Sequence, residues 1–258
     1  MVAAMPPELT TPSVAEPCAH VRAFDVVVPI VASGATLREA VVEAWRDALT
    51  DQPATVAPVE AAGGDTATAL HHLSPAVTTA AINHRAGELV MLHAAALADP
   101  PTGRTAVLVA ASGTGKTTAS VTLGRRFAYL SDETAAITRA GAVLPYRKPL
   151  SIISDGDLKT QIAPSALGLL TSDRAFRLGA LLVIERVPDH VGAPLVELLD
   201  TVDAIAAIAP QSSFLPSMEK PLHRLAELVD LVGGAHRVTY AESTDLEGVL
   251  VDLLQAAP

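Results

Sequence analysis

A mixed α/β fold built around a phosphate-binding loop is the fold class predicted here, and three observations predict it. The first is Ala110-Ala111-Ser112-Gly113-Thr114-Gly115-Lys116-Thr117, which fits G-x-x-x-x-G-K-[ST] with Ala110 at the first glycine. The second is its setting. Thr105-Ala106-Val107-Leu108-Val109 precedes the loop as a buried strand. Residues 116–127 follow as a helix, with Ala119, Val121, Leu123 and Phe127 as apolar positions and Arg125 and Arg126 near the end. The third is a further apolar run at residues 179–185, Gly-Ala-Leu-Leu-Val-Ile-Glu, a strand for the same sheet.

Along the chain, residues 1–20 are rich in Pro, Ala and Thr, and a disordered tail is expected there. Residues 24–31 read as a strand, placed at a sheet edge by Pro29. Residues 37–49 carry Leu37, Ala40, Val41, Ala44, Trp45, Ala48 and Leu49 on one helical face. A Pro/Ala/Gly-rich connection spans 51–65, a helix is expected over 76–86 and a strand over 88–97. Beyond the loop, Tyr129-Leu130 leads into Ser131-Asp132-Glu133. Pro221 opens a helix carrying Leu222, Leu225, Leu228, Val229 and Val232, and Gly233-Gly234 ends it. Residues 236–240 read as a strand, and Thr244-x-x-Glu247 as a capping box for a last helix through Leu253. The organisation expected is a tail over 1–20, a small α/β domain over 21–87 and the phosphate-loop domain over 88–258.

Composition bounds the function. Half of the 258 residues are hydrophobic but only 3% aromatic, so the core is aliphatic. A net charge of −10 argues against general nucleic-acid binding, where a basic face supplies most of the affinity. Cys18 is the single cysteine, which excludes an intramolecular disulfide and a cysteine-built zinc site. There is no secretory signal pattern and no run near the ~18 apolar residues of a membrane span. A soluble, cytoplasmic protein without a membrane partner is expected.

The loop itself implies chemistry. Backbone amides of Ala111, Ser112, Gly113, Thr114 and Gly115 would curl around phosphate oxygens, with Thr118 beside them. Lys116 adds charge at the outer phosphates, and Thr117 offers a hydroxyl to Mg²⁺. The nucleotide expected is ATP. Asp132 follows the loop helix, so a returning strand brings it beside the phosphates, to hold Mg²⁺ or accept a proton. Glu133 is a second metal candidate, pointing the other way if the segment is a regular strand. Glu185 competes for the metal role, although Arg186 is placed to pair with it. The basic stretch Tyr146-Arg147-Lys148-Pro149 could hold phosphate oxygens or an acidic acceptor, with Arg147 the candidate for the phosphate. His93 stands out in an apolar run. His71-His72 lacks an i+4 partner and is only a weak metal signal.

Leu92-His93-Ala94-Ala95, the phosphate loop, Tyr129-Leu130-Ser131-Asp132-Glu133 and Pro145-Tyr146-Arg147-Lys148-Pro149-Leu150, in that order, resemble the catalytic domain of HPr kinase/phosphorylase. More closely, they resemble the shorter HPr-kinase-like proteins of peptide-modification pathways, including lasso-peptide kinases. The resemblance spans roughly residues 88–250. It implies the mixed-sheet fold shared with phosphoenolpyruvate carboxykinases, with Asp132 as base toward an acceptor serine hydroxyl and His93 near the active site. It also implies self-association and a role in peptide natural-product modification. Asp132-Glu133 stands where the family has paired aspartates. The glutamate-arginine-glycine signature tied to phosphorolysis is not visible, so neither that activity nor HPr itself is expected. The function expected is an ATP- and Mg²⁺-dependent kinase, with Lys116, Asp132 and His93 in the reaction centre and a peptide or protein serine as acceptor. A small-molecule kinase and a nucleotide-binding regulator without transfer remain open.

Overall fold

Two left-handed residues in succession set the first turn of the chain. In this computed structural model, which describes residues 16–111, 113–153 and 159–255, β1 (Ala19–Ala23) and β2 (Val26–Ala32) pair antiparallel across Phe24 (φ 53°) and Asp25 (φ 64°). Positive φ at both central residues is the twist-compatible hairpin geometry, usually given to Asn and Gly. Here burial holds the Phe24 ring in place, edge-on to Tyr146 at 4.9 Å, while Arg22 bonds the Asp25 carboxylate at 2.5 Å. The expected tail thus lies outside the described residues only as far as residue 15, and Ala19 and His20 belong to β1.

The N-terminal unit continues with α1 (Ala35–Trp45), β3 (Val59–Ala61) and α2 (Thr66–His84). β3 pairs parallel to β2, so β2 is the middle strand rather than an edge. Pro29 is tolerated because β3 pairs only with Ile30, Val31 and Ala32, leaving one neighbour at the proline. α2 begins ten residues before the expected 76. Asp65 caps it, accepting from the Thr68 amide at 2.8 Å, and Pro75 sits inside it on the exposed side. Packing of Ala69, Leu73, Val77 and Ala81 into the core outweighs the local cost of the proline.

The rest of the chain builds the main sheet. β4 (Val90–Ala98) and β5 (Arg104–Val109) lead into the loop and α3 (Lys116–Leu123). Then come β6 (Ala128–Ser131), β7 (Thr134–Ile137), β8 (Val143–Leu144) and a separate hairpin of β9 (Leu150–Ile153) and β10 (Lys159–Ile162). β11 (Arg177–Arg186), β12 (Leu195–Leu199), α4 (Thr201–Ile208), β13 (Ser212–Ser213), α5 (Pro221–Leu231), β14 (Ala235–Tyr240) and α6 (Leu246–Gln255) complete it. The nine-stranded order is β12-β14-β11-β5-β4-β7-β8, with β6 and β13 also pairing to β4. β5, β11 and β14 run parallel and the other pairs antiparallel, so the sheet is mixed.

Alternation along the central strands feeds two aliphatic cores. Val107 and Val109 of β5 face one side with Ala204, Ile208, Leu225 and Leu228 of α4 and α5. Ala106 and Leu108 face the other with Ala119, Leu123, Leu246 and Leu250 of α3 and α6. A third core belongs to the N-terminal unit but takes in Leu89, Met91, Ala136 and Tyr146 from the main body. Tyr146 is central to that junction: its hydroxyl lies 2.9 Å from Thr78 Oγ1 of α2.

Two end signals differ from expectation. The capping box of the last segment uses Glu242 and Asp245, with the Glu242 amide bonding Asp245 Oδ2 at 2.9 Å, rather than Thr244 and Glu247. A short 3₁₀ turn at Ser243–Asp245 shifts the helix start to Leu246. Among the described residues, no helix is long and apolar enough to cross a membrane.

Candidate functional site

The loop leaves the end of β5 and turns through two left-handed glycines, Gly113 (φ 82°) and Gly115 (φ 91°), into α3. Only glycine adopts this backbone without strain. At Gly113 an added Cβ would meet nothing within 4 Å, so there is open space beside the loop at this position. Ala110, at the first glycine position, does not have positive φ and is buried in the core beneath α3. Glycine's freedom is not needed there, which accounts for the departure from the motif. Ser112, expected among the phosphate-holding residues, lies outside the described residues. Ala111 and Thr114 shape the loop rather than line its cavity: the Ala111 carbonyl accepts from Thr114 Oγ1 at 2.6 Å and from Lys116 Nζ at 2.8 Å.

Lys116 folds back over its own loop, with a second bond to the Ala110 carbonyl at 2.7 Å. Burial brings its pKa down to about 8, against the opposing pull of Asp132 and Glu133. Thr117 donates its hydroxyl proton to Asp132 Oδ2 at 2.9 Å. Pairing of β6 with β4 carries Asp132 to this position, since β4 lies beside β5 and passes the loop at Ala94, which pairs with Val109, while Ser131 pairs with Ala96. The other carboxylate oxygen accepts from the buried Tyr129 hydroxyl at 3.0 Å. Burial, with the charge of Asp132 next, pushes that phenol well above its ordinary value, so it stays a donor.

Between β6 and β7 the chain bends at Asp132-Glu133, so the alternation of a regular strand does not apply. Both carboxylates reach one cation, Lys148: Asp132 Oδ1 at 3.3 Å and Glu133 Oε2 at 3.2 Å from its Nζ. Burial opposes the charge on Lys148, but the two carboxylates outweigh it and raise its pKa. His93, half-buried on β4, lines the same cavity. Burial first, then Lys116, lowers its pKa, while Glu133 and Asp132 act in the opposite sense.

These groups surround a cavity of about 670 Å³. One wall is Gly113, Gly115, Lys116, Thr117 and Thr118; the facing wall includes His71, Ser74 and Pro75 of α2, with Lys159 of β10. The N-terminal unit is therefore part of the cavity. Two candidates lie elsewhere. Arg147 turns away, bonded to the Ser172 carbonyl and at 3.4 Å from Asp173, and lines a different cavity of about 570 Å³. Neighbours in an extended segment face opposite sides, so the turn that sends Lys148 inward sends Arg147 outward. Glu185 is exposed near the end of β11 and does not line the cavity, and Arg186 pairs with Glu242 at 3.1 Å instead.

Sequence reasoning passed over Lys148 and Tyr129. The tyrosine is three residues before Asp132, and the lysine adjoins Arg147, the candidate of the same basic stretch. A polar residue within an otherwise apolar strand was the one available signal for Tyr129.

A nucleotide and Mg²⁺ fit the donor set. There is open space beside the loop at Gly113, and a hydroxyl and a carboxylate 2.9 Å apart suit an ion that takes one or two carboxylates and completes its shell with phosphates and water. Among the described residues no cluster of three His, Cys, Asp or Glu side chains forms a closed metal cage.

No family model matches the chain, and no curated protein matches it. Among solved structures, the HPr(Ser) kinase/phosphatase from Coxiella burnetii is similar over 64% of this chain and 93% of that chain, at 12% identity and a TM-score of 0.36. At a TM-score of that size, fold and function rest on the residues of this chain.

Proposed function

We propose that this chain is an ATP- and Mg²⁺-dependent kinase that phosphorylates a hydroxyl of serine type on a peptide or protein. The observation that carries the reading is the Thr117–Asp132 contact at 2.9 Å, which sets a carboxylate beside the metal-type hydroxyl of a phosphate loop. The loop amides and Lys116 hold the phosphates. Thr117, with Asp132 or Glu133, would hold Mg²⁺, which supplies charge neutralisation on the phosphates when bound. In the reaction, the acceptor oxygen forms a bond to the γ-phosphorus. The bond from that phosphorus to the bridging oxygen of the departing ADP breaks. Asp132 takes the proton of the acceptor hydroxyl. Positioning and charge, rather than covalent chemistry by the protein, supply the rate.

The acceptor would approach beside α2, whose His71, Ser74 and Pro75 line the cavity. The test is transfer of labelled γ-phosphate from ATP to a peptide pool and, separately, to a metabolite pool. Label in peptides, lost on Lys116→Ala, supports the reading. Label in metabolites alone assigns the small-molecule kinase. ATP binding by calorimetry with no transfer to either pool would leave a nucleotide-responsive regulator and sink the kinase.

A further inference from the structure

Lys148 is 4% exposed, and an ammonium taken out of water is costly unless every proton is placed. It has three protons and three acceptors: Asp132 Oδ1 at 3.3 Å, Glu133 Oε2 at 3.2 Å and the Pro149 carbonyl at 3.2 Å. Among the described residues, its close partners are these three. That separates it from Lys116, whose two bonds go to carbonyls of its own loop. Lys148 therefore acts on the carboxylates and not on phosphate.

We propose that Lys148 is the positioning residue of this site: it draws Asp132 and Glu133 to one side of the chain and fixes the Asp132 carboxylate against Thr117. The proposal rests on the phosphoryl-transfer reading for its effect on rate, but not for its geometry. Asp132 is pinned from three directions, by Thr117 at the start of α3, by Tyr129 of β6 and by Lys148 from the segment before β9. Among the described residues, Lys148 is the one ion-pair partner of Glu133. Without it, two adjacent like charges in a largely buried site repel, and Asp132 loses one of its three holds. The position of Lys148 is itself set by the two residues before it. Tyr146 is locked in the N-terminal core through Thr78, and Arg147 is held outward by the Ser172 carbonyl. The N-terminal unit thus determines where the carboxylates point.

The rival account is that Lys148 only neutralises charge. Lys148→Met combined with Glu133→Gln removes one charge of each sign, so the net charge of the cavity is unchanged. If positioning is the role, this double variant binds the non-hydrolysable analogue AMPPNP, offered without Mg²⁺ so that Glu133 cannot act through a metal, within about fivefold of the parent, because the loop holds the phosphates. Its kcat toward the acceptor found in the labelled-phosphate screen falls about 100-fold, the cost of a misplacement near 1 Å. Full recovery of kcat in the double variant, relative to Lys148→Met alone, would overturn the proposal in favour of charge. A crystal structure of the double variant reads the same question without transfer. The Thr117 Oγ1 to Asp132 Oδ2 separation is expected to open beyond hydrogen-bond range, about 3.5 Å. Retention of a bond near 2.9 Å would overturn the proposal, whatever the kinase assay gives. If the parent protein transfers no phosphate, the kinase reading fails while the crystallographic result still decides on Lys148.

Discussion

The hydroxyl pair at the junction of the two units allows a sharp energetic test. Thr78 Oγ1 has one proton, and it is committed to the Ser74 carbonyl one turn back at 2.9 Å. The 2.9 Å contact with Tyr146 must then run the other way, with the phenol donating into Thr78 Oγ1. Both residues are buried, Thr78 at 6% exposure and Tyr146 at 0%. Tyr146→Phe removes the donor and keeps the ring packed edge-on against Phe24 at 4.9 Å. Thr78 loses an acceptor role and keeps its own bond, so the cost is that of one ordinary hydrogen bond, about 1 kcal/mol. Thr78→Val keeps shape but leaves the buried phenol proton with no acceptor, at about 1–3 kcal/mol. For a chain of this size each kcal/mol lowers Tm by about 2–4 °C. The expected order is Thr78→Val worse than Tyr146→Phe, measured by urea unfolding with unchanged m-value and by thermal melting. The double variant removes both partners and is expected to be milder than Thr78→Val alone. A Tyr146→Phe variant less stable than Thr78→Val, or strictly additive losses in the double variant, would refute the proton assignment.

The remaining predictions concern the site and the pH response. Asp132→Asn should keep calorimetric ATP affinity within a few fold, while transfer falls about 10²–10⁴-fold, the usual contribution of a general base; normal transfer would remove Asp132 from that role. Gly115→Ala forces a side chain into φ 91°, but its Cβ meets only Tyr240 Oη at 3.8 Å and Arg186 Cδ at 3.9 Å. The cost is therefore backbone strain alone, about 1–2 kcal/mol, with weakened nucleotide binding. Gly141→Ala has the same kind of strain (φ 79°), and its 2.4 Å approach is to the tip of the exposed Leu231 side chain, which can turn aside, so its melting temperature should drop by about as much while nucleotide binding is kept. Burial lowers the pKa of His236 below its ordinary 6.5. The unfolded chain therefore binds the proton first as the medium acidifies, and stability falls as pH drops below about 6.5. Replacing His236 by Gln should flatten that slope in urea titrations at pH 5–7; an unchanged slope would exclude its contribution.

Local patterns carried much of this fold. The β5–loop–α3 unit, the strand at β11, the proline-opened α5 and its double-glycine stop all follow from spacing within a dozen residues. Where expectation missed, a distant contact decided two cases and a local turn the third. Pro75 reads as a helix boundary until Leu73 and Val77 are seen in one core with β2. Thr244 and Glu247 have the right spacing, but the backbone turns earlier, at Glu242. β2 becomes a middle strand only because β3, almost thirty residues on, lies beside it.

The site divides in the same way. Gly113, Gly115, Lys116 and Thr117 were legible because phosphate-loop geometry is local: each residue's backbone angle and neighbours are set by the motif itself. Asp132 was legible as a candidate because it follows the loop helix, although its 2.9 Å contact with Thr117 depends on β4 bridging β5 and β6. The choice of Lys148 over Arg147 was beyond local reading. Two adjacent cations differ only in which way the chain presents them, and that direction comes from Tyr146 anchored in a core built from residues 19–91 and Ala136. A motif specifies which groups a short segment can offer. Which of them meet across the molecule depends on strand order and packing, whose contacts are summed over the whole chain.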